Sequence, residues 1–391
     1  MKDSVLIFEK NSRVLAKKTK NMLIKNGILE VTIKSSDLNN AFIVRFIEII
    51  NFIKTNYKNT MIPIRFVLDN VNLTDKLAYI LLECIIESLI VNYNYKVELF
   101  FKLKKGISTA GIISSPLKYL GGEKNKNLIN KDKLYIEKFS YDHYKNHFRR
   151  IIKYEDCYEG DALSKIYDEI AYFQKNFNIN YDCYEEISEV IIELIGNAIE
   201  HTKSDCLVDF DMTSDYTTKQ GKPVCGINIS IISFSDTLLG DGLKNKITNL
   251  PNDLKNDRYD YVRKALQNHV NFFDDNYDAT DFFNISAFQH KISGSISKIN
   301  SGGVGLTKLI KSIEDKSEEH SCYVLTGDRI IMFDPVYLEY DKNGWIGFNE
   351  NNDYLKNKPS KKTLQKSEFF MPGTAYNLNF IMKVNWNEKL F

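Results

Sequence analysis

The stretch from Ile187 to Thr202 places Ile187, Val190, Ile191, Leu194, Ala198 and Ile199 at the three-and-four spacing of one helix face, which commits it to a helix packed on a core. Into that helix the sequence inserts Glu193, Asn197 and His201, each four residues from the next, so the three polar groups stack on a common face. A carboxylate can orient and deprotonate a water, and an amide oxygen can complete the shell of a Mg2+ that keeps waters and phosphate oxygens. The same spacing also describes a polar stripe on a solvated helix. Motifs further along the chain discriminate between the two.

The bulk composition narrows the class. At 391 residues the chain is long enough for two domains, and 43% hydrophobic with 26% charged residues is globular composition. Basic and acidic side chains number 52 and 51, a net charge of +1, so no electrostatic argument for nucleic acid arises. The short basic runs at Lys102 to Lys105 and at Arg149-Arg150 are expected to be solvated faces. The apolar run Val5 to Phe8 is too short for a signal sequence, and Tyr79 to Val91 is interrupted by Glu83 and Glu87, well short of a bilayer span. Cys84, Cys157, Cys183, Cys206, Cys225 and Cys322 lie far apart without ligand spacing, as ordinary thiols do. A cytoplasmic protein without a membrane segment is expected.

Along the chain, residues 28–34, 62–69 and 96–103 read as strands, and 42–54 and 75–91 as amphipathic helices between them. Residues 1–125 form a small α/β domain. Its strand-helix-strand order, with Asp69-Asn70 after an apolar strand, loosely resembles the STAS-like domains that accompany some bacterial ATPases, which implies a scaffold or recognition module. The Gly-, Ser-, Lys- and Asn-rich stretch 106–133 suggests a linker. The second domain, 126–391, holds helices at 162–177 and 184–202, strands at 206–212 and 224–232, and one clear helix, 259–272, in the polar segment 238–300. Beyond these come a helix at 307–314 and strands near 321–325, 330–333 and 374–382.

Three further features occur in fixed order after the helix. The strand Ile227 to Ser233 runs into Asp236, Gly240 and Gly242, where an acid can accept the exocyclic amine of adenine and glycines let backbone approach a base. Ser301-Gly302-Gly303-Val304-Gly305-Leu306 directly precedes a helix, so its backbone N–H groups can face a phosphate. Pro372-Gly373-Thr374 enters the last strand and offers a hydroxyl. Each has a plainer counterpart: a solvated turn, a flexible helix start, a sheet hydroxyl.

Taken in order, these features resemble the GHKL superfamily of gyrase-type topoisomerases, heat-shock chaperones, histidine kinases and mismatch-repair proteins, over roughly residues 160–385. Glu193, Asn197, Ala198 and His201 match its E-x-x-x-N-A-x-x-H box, Gly302, Gly303, Gly305 and Leu306 its second glycine box, and Gly373 and Thr374 its final Gly-Thr. The first glycine box departs from D-x-G-x-G. Either Asp236, with Gly240 and Gly242, holds the base, or Ser233-Phe234-Ser235 occupies those positions with no acid; the carboxylate is the stronger acceptor.

The resemblance implies an α/β (α+β) protein: a two-layer α/β sandwich with a mixed sheet in the C-terminal domain, ATP and Mg2+ as cofactors, and a lid at about 243–300 in which Lys264, Lys291 and Lys298 could reach phosphates. It implies Glu193 as general base, Asn197 as Mg2+ ligand, Gly302, Gly303, Val304, Gly305 and Leu306 at the phosphates, Asp236, Gly240 and Gly242 around the base, and the Thr374 hydroxyl on the same nucleotide. His201 is placed among the cofactor-binding residues, bracing the helix end rather than performing chemistry. The expected function is an ATP-driven conformational switch in a bacterial stress or defence pathway, acting with a protein partner or as a homodimer through the N-terminal domain or the lid. The alternatives are a serine/threonine kinase of the anti-sigma-factor type and an ATP-binding switch without hydrolysis. A histidine kinase would need an acceptor on a helix pair, for which only His143 and His147 lie upstream, and little chain remains after Thr374 to build the transducer of a gyrase.

Overall fold

The computed structural model describes residues 1–14, 16–19, 21–103, 115–121, 130–144, 146–158, 161–175, 181–217, 223–249, 256–293, 305–316 and 322–383. It divides into two compact units, one made of Met1–Ile152, Leu207–Asp211 and Glu368–Phe370, the other of the remainder. The α/β class holds, with a mixed sheet in the first unit and antiparallel pairing in the second.

In the first unit, β1 (Met22–Lys25) and β2 (Ile28–Leu38) form a hairpin across Asn26-Gly27, both at positive φ (51° and 74°), as a two-residue turn of this hand requires. β2 then runs parallel to β3 (Ile64–Leu73), and β3 parallel to β4 (Val97–Leu103). Helices α1 (Asn40–Asn56) and α2 (Lys76–Val91) make the crossovers that parallel strands need. Each helix starts where a side chain caps it: Asn39 accepts from the Phe42 amide at 3.1 Å, and Asp75 from the Ala78 amide at 3.3 Å. α1 buries Phe42, Phe46, Ile50 and Ile53 on one face, whereas α2 is buried from Leu77 to Ile90, Glu83 and Glu87 included. The strands and helices expected at 28–34, 42–54, 62–69, 75–91 and 96–103 are all present, with their ends displaced by at most four residues.

The unit continues with α3 (Lys131–Ser140) and a second hairpin, β5 (Tyr141–Tyr144) and β6 (His147–Ile152). Arg149 on β6 is not on a solvated face. It is 1% exposed, donates from Nε to Asp209 at 2.6 Å and pairs through Nη2 with Glu83. The expectation for Arg149 fails because its partners lie 60 and 66 residues away in sequence. Lys76 reaches Asp209 at 2.7 Å and also pairs with Asp211, and His147 Nε2 meets Asp209 at 2.8 Å. Burial pushes Glu83 up despite Arg149. Burial also opposes ionisation of Asp209, but Arg149, Lys76 and His147 outweigh it and hold that carboxyl well below the usual range.

In the second unit, α4 (Ala162–Gln174) and, later in the chain, α9 (Gly305–Lys316) each pack on α5 (Tyr181–Thr202), which also packs on strand β8 (Pro223–Ser233). Strand β7 (Cys206–Thr217) precedes β8, which pairs antiparallel with the long β10 (Leu364–Lys383), itself antiparallel to β9 (Tyr323–Met332). The two strands expected near 321–325 and 330–333 are one. Gly327, at φ 58°, marks the register shift that breaks the apolar pattern midway.

The segment expected as a lid holds three helices where the sequence suggested one: α6 (Asp241–Asn249), α7 (Asp257–His269) and α8 (Ala279–Ser286). They enclose a core of Tyr259, Val262, Phe282, Phe283, Trp345 and Tyr354. Asp278 and Asp281 form a reciprocal capping box at the start of α8, and Arg329 on β9 holds both carboxylates at 2.8 and 2.7 Å. His269 is a packed core residue, bonded to Tyr277 and to the Tyr354 carbonyl. Among the described residues no helix is long and apolar enough to cross a membrane.

Candidate functional site

Helix α5 buries Ile187, Val190, Ile191, Leu194, Ile195 and Ala198 and leaves Glu193, Asn197 and His201 only partly covered. All three line a cavity of about 260 Å3 in the second unit. Neither the Glu193 carboxylate nor the Asn197 amide makes a side-chain hydrogen bond among the described residues, so both groups remain available to a ligand.

The opposite contributions come from far along the chain. Gly305 and Leu306, the first residues of α9, belong to the wall, and Gly305 lies so close to Glu193 that a Cβ there would overlap the Glu193 side chain. Only glycine permits that approach. Two polar contacts tie α9 to α5: Lys308 with Glu189 at 2.7 Å, and Ser312 donating to Glu186 at 2.7 Å. The first turn of α9 therefore presents backbone N–H groups beside the carboxylate. Gly302, Gly303 and Val304 lie outside the described residues.

Thr374 also lines the cavity, directly opposite Ser233 on β8 and Thr326 on β9. Gly373 before it has φ 92°, and a Cβ there would overlap the Ser233 carbonyl and lie 2.8 Å from the Ser235 nitrogen, which explains a glycine ahead of the threonine. Gly242, in the first turn of α6, completes the set of sequence-selected residues in the wall.

Two candidates stand apart. Asp236 is exposed and is not part of the cavity wall; Thr237, Leu238 and Leu239 are. Gly240 is buried, its N–H donating to Asn284 Oδ1 at 2.9 Å, and a Cβ would press on the Asn284 backbone, so its role is to let α8 approach the loop. Lys264 and Lys291 are exposed and line no part of the cavity, and Lys298 lies outside the described residues.

Sequence reasoning passed over Ile231, Tyr376, Ala287, Ile292 and Ser293, all of which contribute to the wall. Ile231 and Tyr376 were accessible, since they sit two residues from Ser233 and Thr374 and share their side of the paired strands. Behind Ser293, the buried Lys246 donates to the Ser293 carbonyl and to the Tyr259 hydroxyl, each at 2.8 Å, and burial lowers its pKa to about 8.

The donor set suits a hard cation brought by a ligand more than one held by the protein alone. Asn197 and Glu193 offer oxygen ligands one helical turn apart, and the described residues contain no cluster of three or more His, Cys, Asp or Glu side chains that could bind a metal. The histidines weighed as phosphoacceptors lie on the hairpin β5–β6, and His147 is buried against Asp209. No family model, no curated protein and no solved structure matches the chain.

Proposed function

We propose that the second unit binds ATP with Mg2+ in this cavity and hydrolyses it, as a member of the GHKL type, and that the nucleotide acts as a conformational switch. One observation carries the proposal: residues chosen from four separate sequence motifs, Glu193 with Asn197 and His201, Gly242, Gly305 with Leu306, and Thr374, line a single cavity. Chance placement of a polar stripe, two helix starts and a sheet hydroxyl gives no reason for that convergence.

Each residue then has a task. Glu193 orients a water and takes its proton as the water oxygen attacks the terminal phosphorus, the bond to the bridging oxygen breaks, and ADP and inorganic phosphate leave. Backbone N–H groups at the start of α9 hold phosphate oxygens. Asn197 would hold Mg2+, whose charge would offset that of the phosphates. Thr374 and Ser233 meet the base. The walls drawn from α6 and from residues 287–293 make the helical segment sense occupancy, and the first unit serves as the recognition module.

Incubation of the full chain with ATP labelled on its terminal phosphate tests the proposal. Free phosphate is the expected product, and Glu193→Ala is expected to stop its release while ATP still binds. Label retained on protein would establish a kinase instead; binding without either product would leave a switch without hydrolysis. Light scattering with and without nucleotide tests whether ATP closes a dimer.

A further inference from the structure

Among the described residues, the strand-end part of the cavity contains no carboxylate that a base could meet. Glu193 is the only Asp or Glu among the described wall residues. Asp236 is exposed outside the wall, and Asp241 is turned back on its own loop, accepting the Leu238 N–H at 2.8 Å. What the sheet offers there is a row of three hydroxyls, Ser233, Thr374 and Thr326, side by side on β8, β10 and β9. Ser233 and Thr374 belong to the cavity wall and are 3% and 7% exposed.

The hydrogen bonds within this row fix what each hydroxyl has left. Thr326 Oγ1 donates its proton to the Gly373 carbonyl at 2.9 Å and accepts the Leu239 N–H at 3.2 Å. Its remaining capacity is one lone pair, so in the 3.3 Å contact between Thr326 and Thr374 the proton comes from Thr374. Thr374 is thereby oriented, with only lone pairs to offer the cavity. The Ser233 hydroxyl makes no side-chain hydrogen bond among the described residues and can rotate to donate or to accept.

We propose that Ser233 makes the base end of this site indifferent to an amino or a keto group, so that the protein takes adenine and guanine nucleoside triphosphates alike. A carboxylate in that place could only accept, favouring the exocyclic amine of adenine and opposing the keto oxygen of guanine. A hydroxyl accepts from the amine and donates to the keto oxygen with the same atom. The inference rests on the nucleotide reading above and deepens it to a specificity.

Calorimetric titration of the full chain with ATP and with GTP, each with Mg2+, tests it. The expected result is a pair of dissociation constants within about tenfold of one another, a difference of about 1.4 kcal/mol or less. Ser233→Asp is expected to widen the ratio at least tenfold toward ATP, through lost GTP affinity. Because aspartate at a buried position can compromise folding, Ser233→Ala provides a second arm: it should weaken both nucleotides by a similar factor, about three- to tenfold, the worth of one hydrogen bond. A preference for either nucleotide of more than about tenfold in the unaltered chain, or a loss confined to one nucleotide in Ser233→Ala, overturns the inference and leaves the nucleotide reading standing. Binding of neither nucleotide removes both.

Discussion

The buried ion network of the first unit and Glu193 in the second handle charge in opposite ways. In the first, Glu83, Arg149 and Asp209 are each at most 1% exposed, and every one of them is engaged by an opposite charge. In the second, the Glu193 carboxylate faces a cavity with no side-chain partner among the described residues. In a closed ion network the Coulomb attraction goes into offsetting desolvation, so it holds strands in register and has little left for a ligand. A carboxylate that faces a cavity without such a partner is left free to act on what enters. Under the proposed function, that difference separates a structural cluster from a chemical one.

The largest effect that would test this contrast is on turnover. Glu193→Ala is expected to lower phosphate release roughly a hundred- to ten-thousand-fold, the span of general-base contributions, while shifting unfolding free energy by less than about 1 kcal/mol. Loss of stability comparable to that of a core mutant would place Glu193 among the structural charges and end the contrast. Phosphate assay and urea denaturation on the same preparation read both quantities.

Arg149→Ala should behave in the reverse sense. Removing the guanidinium leaves Glu83 and Asp209 buried without their shared partner, a change that costs about 3–5 kcal/mol. Urea denaturation should show it as a lower midpoint at an unchanged slope. A cost under about 1 kcal/mol would mean that the network is solvated and does not hold the first unit together.

Legibility in the sequence divides along the same line. Local patterns are readable: the capped helices after Asn39 and Asp75, the alternating strands β2 and β3, and the helix carrying Glu193, Asn197 and His201 all announce themselves within a few residues. Arg149 does not, because a neighbouring arginine makes a solvated patch the natural reading and its partners come from α2 and from residue 209. The β1–β2 hairpin is signalled by Asn26-Gly27, a turn cue that hydrophobic patterning alone overlooks. Two of the three helices between 241 and 286 are obscured by polar, Asp- and Asn-rich composition; α8 is stabilised by Arg329, which pairs with Asp278 and Asp281 from another part of the chain. At the cavity, the motif spacing identifies Glu193, Asn197, Gly305 and Thr374 but favours Asp236 over Ser233. Only strand register shows that Ser233, and not Asp236, stands opposite Thr374.

Gly305→Ala gives a smaller effect on the chemical side. The added methyl group would occupy space filled by the Glu193 side chain, so the carboxylate must move. Turnover should fall about tenfold or more from misplacement alone, with stability little changed because alanine is the better helix former. An unaltered rate would show that Glu193 works from a different position than the one it holds beside α9.

The smallest expected effect is the pH dependence of the first unit, and it has two limbs of opposite sign. His147 is buried, which lowers its pKa, but Asp209 and Asp142 outweigh burial and raise it above the usual value near 6.5. Its contribution to stability is therefore complete below about pH 6.5 and is lost as pH rises through the folded-state pKa. Burial opposes ionisation of Asp209 and Asp142 as well, yet both are shifted down, by Arg149, Lys76 and His147 at the first and by His147 and Lys138 at the second. Their contribution is present above the ordinary aspartate value near 3.9 and is lost as pH falls through the depressed values. Unfolding free energy measured by urea from about pH 2 to 9 should decline on the alkaline side of about pH 6.5 and on the acid side of about pH 4. His147→Gln should flatten the alkaline decline while keeping the acid limb. Since His147 lies in the first unit, Glu193→Ala should leave the whole profile unchanged, and a shift of the alkaline limb in that variant would contradict the separation of structural from chemical charge.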